Sequence, residues 1–143
     1  VSKSGLTNVQ MFQQAVSGDT GLRYLQVNSD NWIMHSLFSE SMGTEPGLPI
    51  DSISFDDIMD SNNIECCDLL KIDCEGSEYE ILERCTPETL KRVRRIVGEY
   101  HEGPHIDGTG EELCRFLESR SFRIDKFERD EGFGVLSAYN LAF

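Results

Sequence analysis

The run D-L-L-K-I-D-C-E-G-S-E-Y-E-I-L at positions 68–82 constrains the fold more than any other stretch of this chain. It reads as a strand over Asp68–Asp73 that stops near Gly76 and turns into a helix. A lysine and acids inside a strand covered on both faces are costly, and positions that keep such charges are often functional. Side chains alternate across a strand, so Leu69, Lys71 and Asp73 share one face while Leu70, Ile72 and Cys74 share the other.

The flanking sequence repeats the strand-then-helix pattern. Ser77 with Glu80 predicts a capping box for a helix whose buried face carries Ile81, Leu82 and Cys85. Arg95–His101 predicts the next strand, with Val97, Glu99 and His101 on one face. Thr109 with Glu112 marks a second capping box, followed by a stripe of Leu113, Phe116 and Leu117. Phe122–Glu128 and Gly134–Leu141 then predict an antiparallel hairpin around Arg129–Phe133. Upstream, Val9–Val16 and Leu22–Val27 flank the turn signal S-G-D-T-G and are expected as strands that could pair with each other. Ile50–Ser54 reads as a short strand, with Ser54 and Asp57 opening a helix through Ile58 and Met59. Asn28–Pro49 reads as a long excursion holding Trp32, expected to pack, and His35, expected at the surface or in packing. Strands alternating with helices predict an α/β fold with a mostly parallel sheet and a C-terminal antiparallel hairpin.

A length of 143 residues suits one domain, 1–143. The net charge of -13 argues against nucleic acid or an anionic membrane as partner. No apolar run approaches the roughly 20 residues of a membrane span, and the N-terminus lacks a signal-peptide core, so a cytoplasmic protein is expected. The five cysteines are odd in number without C-x-x-C spacing, which fits reduced thiols. The chain opens on Val1, compatible with a processed initiator or with a piece of a longer protein.

Two groups of residues could carry chemistry. Lys71 can pair with Glu99 across parallel strands, with Glu78 pointing back toward the sheet, as a buried ion network that holds register. Asp73, Glu75 and His101 are expected at the carboxyl edge of the sheet, where open α/β sheets bind ligands. They could act as acid and base, cap the following helix, or hold a hard divalent cation. Cys74 is expected in the core instead of acting as a nucleophile, and His105 as a loop residue.

The stretch at 68–82 resembles the signature of FkbM-type methyltransferases, roughly D-x-L-K-I-D-x-E-G-x-E-x-x-x-L. I-V-G-E-Y-H at Ile96–His101 is similar to that family's next strand, Q-A-V-S-G-D-T-G at Gln14–Gly21 to its earlier strand and turn, and I-D-S-I-S-F-D-D-I-M at Ile50–Met59 to the step before the signature. The resemblance implies a partial Rossmann-like methyltransferase fold and transfer of a methyl group from S-adenosylmethionine, usually to a hydroxyl of a small-molecule or carbohydrate substrate. It implies Ala15, Val16 and Ser17 near the cofactor, Asp73 and Glu75 bordering the transfer site, and Asp73 or His101 as general base, with no metal. The family's glycine-rich cofactor turn has no counterpart here, so the chain is expected to be the C-terminal part of such a domain, with doubtful cofactor binding by itself. Two other readings stand beside it: a divalent-metal-dependent hydrolase using Asp73, Glu75 and His101, and a non-catalytic module that forms a homodimer through unpaired strands.

Overall fold

The computed structural model describes residues 5–25, 47–104 and 106–143. Trp32, His35, His105 and most of the Asn28–Pro49 excursion lie outside the described residues. The architecture is α/β, with two sheets and four helices among the described residues.

The first sheet consists of β1 (Ala15–Ser17), β2 (Gly21–Leu25) and β3 (Leu48–Ser54) in the order β1-β3-β2. The two N-terminal strands do not form a hairpin with each other. β3 lies between them, parallel to β1 and antiparallel to β2. The turn polar groups explain this arrangement: the buried Ser52 hydroxyl donates to the carbonyls of Asp19 at 2.9 Å and Gly21 at 3.0 Å, which pins the turn onto β3. The first strand is also far shorter than its loose alternation predicts. Helix α1 (Phe55–Ser61) follows as expected, the Ser54 hydroxyl accepting from the Asp57 N–H at 3.1 Å.

The second sheet consists of β4 (Leu70–Ile72), β5 (Arg95–His101), β6 (Phe122–Arg129) and β7 (Phe133–Asn140) in the order β4-β5-β7-β6. Only β4 and β5 run parallel; β7 is antiparallel to both of its neighbours. The expectation of a mostly parallel sheet is therefore corrected to a mixed one. The C-terminal hairpin does not attach as an outer ornament: its second strand inserts between β5 and β6, so it supplies half of the strands. Helices α2 (Glu78–Glu83), α3 (Pro87–Lys91) and α4 (Gly110–Ser119) complete the unit. The sequence reading missed α3, a single short turn that Thr86 caps and Pro87 opens.

The core forms one cluster. Ile72, Ile96, Tyr100, Leu136 and Ala138 from the strands meet Tyr79, Ile81, Leu82, Leu90, Leu113 and Leu117 from the helices. Burial alternates along β5 as the period of two requires, with Ile96, Gly98 and Tyr100 inside and Val97, Glu99 and His101 half-covered. Gly98 is needed for close approach, because a Cβ there would strike the backbone and side chain of Ile72. The Tyr100 ring stacks on Phe127 at 5.4 Å between centroids, and its hydroxyl donates to the Glu128 carbonyl at 3.2 Å. β5 is thus fixed on both sides, and its last residue, His101, inherits that rigidity.

Candidate active site

The capping box at α4 forms as predicted: the Thr109 hydroxyl accepts from the Glu112 N–H, and the Glu112 carboxylate accepts from the Thr109 N–H at 3.0 Å. The one expected at Ser77 does not form. Ser77 has helical backbone angles and no capping bond, and its buried hydroxyl has no partner among the described residues. Glu78 instead ties down the turn that precedes the helix. This side chain is fully buried, and its carboxylate accepts from the Cys74 N–H at 2.6 Å and the Gly76 N–H at 2.9 Å. An acid at the first position of the helix thus satisfies donors of the preceding turn, which lie before the helix and outside the reach of a Ser77 cap.

The same carboxylate meets His101, with Oε1 3.2 Å from Nδ1. The other ring nitrogen, Nε2, lies 3.6 Å from Glu75 Oε2. Burying a carboxylate costs several kcal/mol. Two backbone donors and an imidazole, each charge-assisted bond worth roughly 1.5–3 kcal/mol, offset that cost. The hydrogen bond to Glu78 raises the His101 pKa above its ordinary value, and the charges of Glu78, Glu75 and Asp73 add to the rise while burial opposes it. The backbone of His101 is held as well, since its carbonyl accepts from the Tyr79 hydroxyl at 2.9 Å.

Glu75 has φ at 50°, a left-handed conformation that costs a residue with a side chain about 1–2 kcal/mol. Gly76 follows at φ 105°, where Ile106 covers it. The turn therefore keeps a carboxylate where glycine or asparagine would sit more comfortably, and strain held in this way is a signal of function.

The predicted buried brace of Lys71, Glu99 and Glu78 is corrected: the charge of Glu99 does act on Lys71, but the lysine lies outside the core and away from Glu78. The Lys71 side chain is 68% exposed and pairs with Asp73 at 3.0 Å, whose carboxylate raises the lysine's pKa. Lys71 shares a sheet face that the helices do not cover, so it never enters the interior where Glu78 lies. Asp73 lies beside His101 as predicted, with Glu99 as a further neighbour: one ligand atom each from Asp73, Glu99 and His101 lies within 4.8 Å of the others. Two carboxylates and an imidazole are chemically able to hold a divalent cation such as Mn²⁺ or Zn²⁺. The three predicted site residues, Asp73, Glu75 and His101, thus converge at the carboxyl ends of β4 and β5. The sequence reading missed the roles of Glu99 as a neighbour of Asp73 and of Glu78 as the support for His101. An acid two residues after the turn glycine Gly76, on the helix stripe with Ile81 and Cys85, is the signal that could have found Glu78.

Ala15, Val16 and Ser17 form β1 itself, paired with Ser52, Ile53 and Ser54. The Ser17 hydroxyl is buried and donates to the Asp19 carbonyl at 2.8 Å. All five cysteines are free, and burial pushes the Cys74 thiol up from its ordinary pKa, in keeping with a packing role. Among the described residues no helix is long and apolar enough to cross a membrane.

The Methyltransferase FkbM domain profile matches residues 4–124. The chain belongs to the FkbM methyltransferase family. A curated relative, hexuronic acid methyltransferase AglP of Haloferax volcanii, is 30% identical over 99 residues, covering 68% of this chain and 39% of that protein. The chain therefore spans well under half the length of this relative. No solved structure matches it significantly. Membership of the FkbM family favours group transfer over the hydrolase reading of Asp73, Glu75 and His101.

Proposed function

We propose that this chain supplies the acceptor side of an S-adenosylmethionine-dependent O-methyltransferase that acts on a small-molecule or sugar hydroxyl. On this reading residues 1–143 are the C-terminal part of the catalytic domain, and the β4-β5-β7-β6 sheet is one half of a Rossmann-like fold. The observation that supports it is the placement of His101: Nδ1 is engaged by buried Glu78, and Nε2 faces Glu75 at the sheet edge beside Asp73. An imidazole in this position accepts the acceptor hydroxyl's proton at Nε2, while the carboxylates of Asp73 and Glu75 orient neighbouring hydroxyls.

S-adenosylmethionine supplies the activated methyl group when bound. Ala15 and Val16, half-buried along β1, are the residues proposed to border it. Ser17 is fully buried with its hydroxyl committed to Asp19, so its part is to support β1 from beneath. β1 therefore suits an edge of a cofactor site, and the groups that grip the cofactor belong elsewhere.

A relative named for a hexuronic acid makes carbohydrates the first acceptors to test. The edge carries Asp73, Glu75 and Glu99 against Lys71 and His101, a balance that repels a carboxylate and tolerates a neutral hydroxyl. Incubation with methyl-labelled cofactor and matched neutral sugars and hexuronates tests the proposal. Label recovered as a base-stable methyl ether is expected. Label found only as a base-labile ester, or no transfer to any hydroxyl by protein shown to bind the cofactor, contradicts it.

A further inference from the structure

We propose that Glu78 is a positioning residue whose one buried carboxylate both shapes the β4–α2 turn and fixes the His101 ring, with Nδ1 as donor and Nε2 as acceptor. The inference rests on the reading of His101 as proton acceptor, and it extends that reading to a group that touches no substrate.

The geometry leaves the carboxylate little freedom. Oε1 accepts from the Cys74 N–H and Oε2 from the Gly76 N–H, at 2.6 and 2.9 Å, so both oxygens are anchored to the turn before His101 is considered. An anchored, ionised carboxylate 3.2 Å from Nδ1 can only accept, so the neutral ring carries its proton on Nδ1. Free histidine side chains favour the opposite tautomer, with the proton on Nε2. Without Glu78 the neutral ring would present a hydrogen toward the acceptor hydroxyl in place of a lone pair. The Cys74–Gly76 turn that Glu78 clamps also carries Glu75, which faces Nε2 at 3.6 Å. One side chain thus sets the position of both groups.

The charges facing the ring come from each neighbouring element: Glu78 from α2, Glu75 from the turn, Asp73 from the end of β4, and Glu99 from β5 itself. Of these, Glu78 alone contacts Nδ1 among the described residues. Its removal is therefore expected to change the tautomer, which a loss of charge at Glu75 or Asp73 would not do.

The test is nitrogen-15 NMR of the full chain labelled at histidine, titrated in the wild type, in Glu78→Gln and in Glu78→Ala. In the wild type, neutral His101 is expected to carry its proton on Nδ1. In Glu78→Gln, which removes the charge but keeps an acceptor oxygen, the midpoint of His101 should fall, and in Glu78→Ala, which removes both, the neutral ring should also shift toward the Nε2–H form. A wild-type ring protonated on Nε2 overturns the proposal, and that spectrum decides the matter even if neither variant folds. Unchanged His101 behaviour in a folded variant overturns it as well. Methyl transfer is measured separately, where a lower kcat at nearly constant KM, with its pH limb moved to lower pH, supports positioning of the base. If the NMR result holds and the wild type transfers no methyl group, the positioning stands and the methyltransferase reading falls.

Discussion

Glu78 Oε1 lies 3.2 Å from His101 Nδ1, joining a fully buried acid at the start of α2 to the last residue of β5 across the carboxyl end of the sheet. The link makes the imidazole part of the frame and not a mobile surface group. It also ties the histidine's protonation to the folded state, from which measurable consequences follow.

Folding stability should depend on pH through His101. Its folded pKa is raised above the ordinary value of about 6.5. The stabilisation from its charged form is then fully present below the unfolded pKa and is lost as pH rises through the folded pKa. Denaturant unfolding of the wild type and His101→Gln between pH 5 and 9 should show the wild-type advantage shrinking from about pH 6.5 upward. An advantage that grows with pH would contradict the sign.

Replacement of Glu75 by asparagine should separate strain from chemistry. Asparagine tolerates the left-handed backbone, so stability should hold or rise by up to about 1 kcal/mol. Methyl transfer should fall at least several-fold because the carboxylate facing Nε2 is gone. Thermal unfolding and turnover on the same preparation check both halves, and a variant that is destabilised yet fully active would contradict the assignment.

Gly98→Ala should part β4 from β5. The added methyl meets the Ile72 carbonyl, a backbone atom that cannot rotate away. A loss of about 1–3 kcal/mol or more is expected in urea unfolding, the usual scale for overpacking. The change also displaces Asp73 relative to His101, so transfer should drop more than the stability loss alone would bring.

Lys71 already places an ammonium 3.0 Å from Asp73, giving the acidic group of Asp73, Glu99 and His101 its own countercharge. Methyl transfer is therefore expected to survive thorough chelation. A rate lost on chelation and restored by Mn²⁺ would reassign these three residues as metal ligands.

Much of this site was legible in the sequence because strand alternation is strict. The faces of Leu69, Lys71 and Asp73 and of Val97, Glu99 and His101 fall as the period of two predicts, and Asp73, Glu75 and His101 converge. Periodicity carries no information on which side chain satisfies a turn, so it shows neither that Ser77 makes no cap bond nor that Glu78 binds the Cys74 and Gly76 N–H groups. Pairing partners were also hidden. The N-terminal strands are joined through β3, beyond a long intervening stretch, and β7 inserts beside β5 because of long-range packing around Tyr100. Lys71 was misplaced for a related reason: a strand with charges on one face was read as covered on both.

The most direct test of His101 as proton acceptor is the pH–rate profile of methyl transfer at saturating cofactor and sugar acceptor. The rate should rise as His101 loses its proton, with a midpoint matching its NMR titration. The limb should vanish in His101→Gln, with the plateau lowered by about 10²–10⁴-fold. A limb that persists unchanged in that variant, or a rate that falls as pH rises through the His101 midpoint, would contradict the account.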